Sequence, residues 1–216
     1  MKKKYNILIT GGSSGIGKEL VLQLLKKKQK VIFTYFNNYK EAKSVKSKFR
    51  NDNCIIFKLD LNNHKEIRKK IKDLKKKIKK IDFVILNALN PVKRISFKKI
   101  QIKELIKNIK INYIGNFIII KSIISFFNKK YAKINFIHIS SKVVQNGGWK
   151  LAHYAPMKAA IDNLFLCLSR EYKKQINFFS IKIGSTDTPG FRFGNHVKGN
   201  IDKASTRARQ IISLIK

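Results

Sequence analysis

Tyr154 and Lys158 stand four residues apart, in a stretch (140–158) that opens on the doublet Ser140-Ser141. On a helix, residues at i and i+4 share a face, which would set the Lys158 ammonium beside the Tyr154 phenol. A phenol next to a fixed positive charge releases its proton more readily than its reference pKa of about 10 implies. A hydroxyl of that kind suits general acid/base work on a carbonyl oxygen. A second constellation lies near the N-terminus, where Gly11, Gly15 and Gly17 separate the apolar run 5–10 from the helical pattern Leu20, Leu24, Leu25. Strand, glycine turn and helix in that order leave free N–H groups at the opening of the helix, a cradle for phosphate.

The elements that must position these residues can be read from periodicity. Strands are predicted at 5–10, 30–36, 54–59, 83–86, 134–139 and 178–183. Helices are predicted at about 39–50, 63–79, 101–128, from Tyr154 to about 173, and at 203–215, with a loop at 185–202. In the long helix, Leu105, Ile109, Asn112, Asn116 and Ile119 fall on or near one stripe. Alternating strands and helices predict an α/β fold: a doubly wound parallel sheet with helices on both faces, ligands bound at the carboxyl ends of the strands. Each chemistry-bearing residue lies at such an end or on the helix that follows.

With 216 residues the chain is long enough for one sizeable core, and 1–216 is read as a single domain. Two cysteines, Cys54 and Cys167, lie in apolar surroundings without metal-ligand spacing and are expected to be buried free thiols, with no metal bound. The apolar run after MKKKYN ends in glycines and is too short for a signal peptide. The stretch 113–127 is interrupted by Asn116 and Lys121, short of the roughly 20 apolar residues of a membrane span. A soluble cytoplasmic protein with no membrane partner is the expectation. The net charge of +36, from 48 Lys plus Arg against 12 Asp plus Glu, would attract nucleic acid, an anionic membrane or an acidic partner. Yet the lysines come with abundant Ile and Asn, a background composition. The densest run, 68–80, carries Ile67, Ile71, Leu74 and Ile78 at helical spacing, which reads as a core helix with a solvated lysine face. Nucleic acid is therefore not the expected partner.

Together these motifs, in this order, resemble the short-chain dehydrogenase/reductase family, in the manner of its 3-oxoacyl-carrier-protein reductases, over nearly the whole chain. Thr10-Gly11-Gly12-Ser13-Ser14-Gly15-Ile16-Gly17 is similar to the family's cofactor loop, and Asn87-Ala88 to its Asn-Ala-Gly motif, with Leu89 in place of the glycine. Ser141, thirteen positions before Tyr154, falls at the catalytic serine; Ser140 is the weaker candidate. Ile183-Gly184 stands where Pro-Gly is usual. The resemblance implies a Rossmann-type sheet of about six strands in the order 3-2-1-4-5-6, without the family's seventh strand, so that its usual tetramer is in question. It implies a catalytic set of Asn112, Ser141, Tyr154 and Lys158. It also implies nicotinamide-cofactor contacts from Gly11, Ser13, Ser14, Gly15, Ile16, Gly17, Tyr35, Asp60, Leu61, Asn87, Ala88, Tyr154, Lys158, Gly184, Thr186 and Thr188. Asp60 would meet the adenine and Thr188 the nicotinamide carboxamide.

The implied chemistry is hydride transfer between a nicotinamide and a carbonyl or alcohol carbon. Ser141 would polarise the carbonyl, Tyr154 protonate it, Lys158 lower the Tyr154 pKa and bind the nicotinamide ribose, and Asn112 hold a water linking Lys158 to solvent. The segment 34–38 ends the second strand without a carboxylate and Lys40 follows, which favours NADP(H) over NAD(H). Phe191, Arg192, Phe193 and His196 are expected to cover the substrate, with Trp149 near the mouth and His153 in a pocket or surface role. A small-molecule or acyl-thioester carbonyl compound is the expected substrate, such as a 3-oxoacyl thioester or a sugar or other biosynthetic metabolite. A homo-oligomer, dimer or tetramer, is expected through the helices at 101–128 and 152–173. The alternative is a non-catalytic scaffold that holds RNA or an acidic partner on its basic surface.

Overall fold

The computed structural model describes residues 3–49, 53–91, 93–127, 133–173, 175–193 and 201–215. The chain runs β1 (Asn6–Ile9), α1 (Gly15–Lys26), β2 (Lys30–Tyr35), α2 (Tyr39–Ser47), β3 (Cys54–Lys58), α3 (His64–Lys77) and β4 (Phe83–Leu86). A 3-10 turn (Phe97–Lys99) leads to α4 (Ile102–Ile109), a π turn (Lys110–Ile114) and α5 (Gly115–Phe127). There follow β5 (Ile134–Ser141), α6 (Val143–Asn146), α7 (Ala155–Glu171), β6 (Ile176–Ile183), β7 (Thr186–Asp187), α8 (Pro189–Arg192), β8 (Asp202–Lys203) and α9 (Ala204–Ile212).

The expected sheet is present: six parallel strands in the order β3-β2-β1-β4-β5-β6. The central strands β1 and β4 are apolar because helices cover both of their faces. Alternate side chains divide between two cores, as the period of two in a strand requires. Ile7, Ile9, Phe33, Ile85 and Ile137 pack with Leu20 and Leu24 of α1 and Ile211 of α9. Leu8, Ile32, Val84 and Phe136 pack with Ile67 and Ile71 of α3, Ile119 and Ile123 of α5, and Phe165 of α7. The lysine-rich run behaves as its spacing predicts: Ile67, Ile71, Leu74 and Ile78 are buried, while Arg68, Lys69 and Lys72 face solvent.

Several expectations need correction. The loop 185–202 contains a small second sheet, β7 paired with β8, and the short helix α8. β5 and β6 run longer than apolar patterning suggested, pairing from Ile134–Ile176 to Ser141–Ile183, because register with a neighbour holds polar residues in a strand as well as apolar ones. Cys54 is buried, with its thiol pushed up to about 11 by that burial, but Cys167 is exposed on α7, so only one of the two thiols is a core residue. The helix expected over 101–128 is helical from Ile102 to Phe127, with residue 128 outside the described residues, and is interrupted by the π turn. There the Asn112 carbonyl is satisfied by Asn116 Nδ2 at 2.8 Å. By length and a mean hydropathy of 1.3, Ile102–Phe127 could cross a membrane, yet Ile119, Ile120, Ile123 and Phe127 are buried in the protein core.

Gly115 opens α5 directly after the π turn, and a Cβ there would lie 2.6 Å from the Leu61 carbonyl oxygen. Backbone on both sides of that contact cannot yield cheaply. Gly115→Ala is therefore expected to lower stability by about 1–3 kcal/mol in urea unfolding, because α5 must retreat from the loop after β3.

Candidate active site

The carboxyl ends of β1 and β4 meet at the turning point of the strand order, where open α/β sheets form a crevice. Hydrogen bonds across this point shape the glycine loop. Thr10 Oγ1 accepts from the N–H groups of Asn87 and Ala88, both at 3.0 Å. Asn87 Nδ2 returns two bonds, to the carbonyls of Thr10 at 2.9 Å and Gly11 at 3.0 Å. Gly11 has φ +69° and Gly15 φ +53°, conformations that a side chain would strain. At Gly17 a Cβ would lie 2.1 Å from the Gly11 carbonyl and 2.5 Å from Asn87 Nδ2. Ser13 and Ile16 are buried, and Ser14 caps α1 without a side-chain capping bond. No acidic residue lies in the first turn of α1, whose leading N–H groups face outward from the positive end of the helix.

The four proposed catalytic residues converge from three elements, β5, α7 and the π turn. Ser141 ends β5 and its hydroxyl hydrogen-bonds the Tyr154 phenol. Ser140 faces the opposite side, where its hydroxyl donates to Asp162 at 2.7 Å, which removes it as the rival candidate. Tyr154 is the N-cap of α7, with φ −120°, and is not inside the helix as the four-residue spacing suggested. The spacing still brings it over Lys158, whose N–H reaches the Tyr154 carbonyl at 3.3 Å. Lys158 is buried, and its Nζ donates to the Ile139 carbonyl at 2.7 Å. Asn112 sits in the π turn, where its Oδ1 accepts from the Asn90 N–H at 2.7 Å; its Nδ2 is buried without a partner among the described residues.

The electrostatics differ from the sequence expectation. Burial pushes the Tyr154 phenol up to about 12, against the lowering effect of the Ser141 hydrogen bond. Burial likewise brings Lys158 down to about 8, with the Asp162 charge opposing it. Desolvation is thus the largest effect on the phenol, and what lowering there is comes from Ser141, not from Lys158, whose Nζ is bound at the Ile139 carbonyl.

The remaining expected residues line the same edge. Tyr35 ends β2, half-buried, with its ring 5.6 Å from that of Tyr39. Asp60 accepts from the Asn62 N–H at 2.8 Å, and Leu61 is buried. Thr186 Oγ1 donates to the Gly184 carbonyl at 3.0 Å. Thr188 caps α8 by accepting from the Phe191 N–H at 3.1 Å, and a Cβ on Gly15 would lie 3.1 Å from the Thr188 methyl carbon. Thr188 therefore stands over the glycine loop. At the mouth, Arg94 Nη1 donates to the Trp149 carbonyl at 2.6 Å, and the Ile95 N–H to the Lys150 carbonyl. Trp149 itself is exposed, and Lys93 stacks on the exposed Phe193. His153 is buried, so its surface alternative is discarded; His196 lies outside the described residues.

Sequence reasoning missed Asn90 and Asn108. Asn90 Nδ2 donates to Asn108 Oδ1 at 2.6 Å, tying the loop after β4 to α4. The Asn spacing 108, 112, 116 was a visible signal for a polar stripe. It also missed Lys58, which pairs with Tyr35 across β2 and β3, and the buried group His138–Asp162. Among the described residues there is no cluster able to hold a metal ion.

Residues 5–196 match the family model described as short chain dehydrogenase. The chain belongs to the short-chain dehydrogenase family. Among curated relatives, a 3-dehydrosphinganine reductase of Danio rerio is 25% identical over 201 residues, covering 89% of this chain and 60% of the relative. The chain thus spans about three-fifths of that relative's length. Among solved structures, a 3-ketoacyl-(acyl-carrier-protein) reductase from Brucella melitensis complexed with NADH superposes with a TM-score of 0.91 at 18% identity. That match covers 100% of this chain and 92% of the other. ElxO with NADP bound gives 0.87 at 23% identity, over 99% and 92%. The glycine loop of this short-chain dehydrogenase, packed so closely on Asn87 and Ala88 that Gly11 and Gly17 leave no room for a Cβ, fits the pyrophosphate of a nicotinamide dinucleotide at the opening of α1.

The buried titrating groups predict the pH dependence of folding. His138 is brought down from 6.5 to about 4 by burial, so the unfolded chain binds the extra proton between those values and stability falls as pH drops through them. Lys158, brought down from 10.5 to about 8, is a protonated buried group whose cost is fully present below pH 8 and is relieved as pH rises toward 10.5. Lys158→Met is therefore expected to stabilise the fold at pH 7 by about 1–2 kcal/mol, after loss of the bond to Ile139 is allowed for. Urea unfolding should show that gain shrinking between pH 8 and pH 10.

Proposed function

We propose that the protein is an NAD(P)(H)-dependent oxidoreductase that transfers hydride between a nicotinamide and a carbonyl or secondary alcohol carbon, and that it acts as an NADPH-dependent ketone reductase. The observation that carries this is the Ser141–Tyr154 hydrogen bond beside the buried Lys158 ammonium, at the edge of a glycine-loop crevice. The nicotinamide would supply the hydride. Ser141 donates a hydrogen bond to the substrate carbonyl oxygen, and Tyr154, protonated at neutral pH in its buried setting, delivers a proton to it. Two donors aimed at one oxygen, on elements already held in place, stabilise the charge that develops there. Lys158 has N–H groups beyond the one given to Ile139, and these are the donors for the ribose hydroxyls. The unpaired Nδ2 of Asn112 is the group that would hold a water in a proton path toward Lys158.

The end of β2 supports NADP(H). The segment 34–38 that ends β2 carries no carboxylate, and Glu41 of α2 is bound to Lys18 at 2.5 Å. Lys40 is exposed after β2, and Lys58 stands over the Phe36 ring on the neighbouring strand. The substrate class favoured is a ketone such as a 3-oxoacyl thioester or a sugar or other biosynthetic metabolite. The names of two of the similar proteins, a 3-dehydrosphinganine reductase and a 3-ketoacyl-(acyl-carrier-protein) reductase, support that class. Exposed Ile102, Ile106 and Phe117 on α4 and α5 and Leu166 on α7 support a homo-oligomer, dimer or tetramer, formed through these helices.

Titration with NADPH and NADH, followed by nicotinamide fluorescence, tests the cofactor. Tighter binding of NADPH that weakens in Lys40→Ala and Lys58→Ala is expected. Tyr154→Phe should bind the cofactor normally and lose about 10²–10⁴-fold in kcat on a panel of ketones. Wild-type protein that binds neither nucleotide would sink the enzyme reading.

A further inference from the structure

A second polar cluster lies directly beneath the catalytic pair, on the face of the sheet that α7 covers, and the chemistry above makes no use of it. Asp162 follows Lys158 by one helical turn. Its Oδ1 is 2.9 Å from His138 Nδ1, its Oδ2 accepts from Ser140 Oγ at 2.7 Å, and Ser180 gives it a further hydrogen bond. His138 and Ser140 are two apart on β5 and so share a face, and Ser180 is the register partner of His138 on β6. One carboxylate thus joins one helix to two neighbouring strands. His138 and Ser140 are each 2% exposed. Ile139, between them, is the residue whose carbonyl takes the Lys158 ammonium, and Ser141 is the next residue after Ser140.

Serine, histidine and aspartate are the residue types of a hydrolytic triad, but the connectivity excludes one. Serine and histidine each bond the aspartate separately, so the serine has no base beside it, and neither side chain reaches the surface. What the cluster does supply is a firm anchor and a negative charge. Burial opposes ionisation of Asp162, yet hydrogen bonds from His138, Ser140 and Ser180 hold its carboxyl below the usual range. His138 stays neutral, down at about 4, chiefly through burial. The cluster therefore carries the charge of one carboxylate. Other ionisable groups on the elements packed against this part of α7 are Lys182 on β6 and Lys110 and Tyr113 on the π turn. Both lysines are exposed and Tyr113 is half-buried, which leaves Asp162 as the opposite charge acting on Lys158.

We propose that Asp162 is a positioning residue for the Tyr154–Lys158 pair: by binding His138, Ser140 and Ser180 it fixes α7 against the end of β5 and holds a negative charge one turn from the Lys158 ammonium. The inference rests on the oxidoreductase reading, since it assigns Lys158 a role in holding cofactor. Removing the charge lets Lys158 lose its proton at lower pH, and an uncharged amine is a weaker donor to the ribose hydroxyls.

The test is NADPH binding by fluorescence between pH 6.5 and 9.5, for wild type, Asp162→Asn and the double variant Ser140→Ala/Ser180→Ala, with thermal unfolding alongside. Wild-type affinity should fall through a midpoint near pH 8, where Lys158 deprotonates. In Asp162→Asn that midpoint should move down by about one unit, which makes binding roughly threefold weaker at pH 7.5 and close to tenfold weaker at pH 9, with little change at pH 6.5. The serine double variant keeps the carboxylate and loosens the anchor, so its midpoint should stay in place while kcat on a ketone falls at least severalfold at unchanged KM. An Asp162→Asn midpoint equal to wild type, with only the melting temperature lowered, would overturn the proposal. If Asp162→Asn does not fold, the serine variant decides: full kcat in a folded protein would overturn it. Wild type that binds no nicotinamide nucleotide would overturn the enzyme reading itself, a different result from binding with an unmoved midpoint.

Discussion

A lysine ammonium kept out of water is the constraint around which the rest of this protein is arranged. Lys158 is 7% exposed, and burying an unpaired ammonium is strongly unfavourable unless donors and charges are matched. The Ile139 carbonyl and the Asp162 carboxylate supply that match, and the site also depends on the turning point of the sheet. Each requires a different element. The carbonyl needs β5 to run past its pairing with β4, which ends at Leu86–His138. The carboxylate needs α7 to lie flat on β5 and β6. The crevice needs the strand order to reverse between β1 and β4.

The glycine loop is held by the same kind of matched polarity. Thr10 and Asn87 exchange hydrogen bonds across the turning point and extend the β1–β4 pairing past the strand ends into one ledge. That rigidity is useful because a phosphate cradle of backbone N–H groups works only when it is organised before the ligand arrives. The π turn serves a similar purpose on the other side. It displaces Asn112 toward the loop after β4, where Asn90 meets it, and Asn116 satisfies the backbone carbonyl that the distortion frees.

The unusual charge has a plain physical reading. On α3 the lysines occupy the solvent face of a helix whose Ile67, Ile71 and Leu74 are buried, and Lys75 covers the Phe127 ring at 4.7 Å. Their long stems shield apolar surface while their charges stay in water.

Sequence alone determined the order of elements, because apolar runs of strand length alternating with amphipathic helices admit a doubly wound sheet and little else. It also singled out the Tyr154–Lys158 spacing and the glycine loop, and the family resemblance added Ser141 and Asn112 as candidates; the structure sets Ser141 against Tyr154 and keeps Lys158 one turn on. The sequence did not show that Tyr154 caps α7 instead of lying within it, nor that Cys167 points outward, because both depend on where a helix begins and which way it is rolled. Only the tertiary structure brought His138, Ser140 and Ser180 to one carboxylate, since strand register and helix docking are long-range choices that no local pattern encodes. It also reversed the expected shift of Tyr154. A neighbouring charge can be read from a four-residue spacing, but desolvation depends on everything packed around the phenol, and here desolvation is the larger effect.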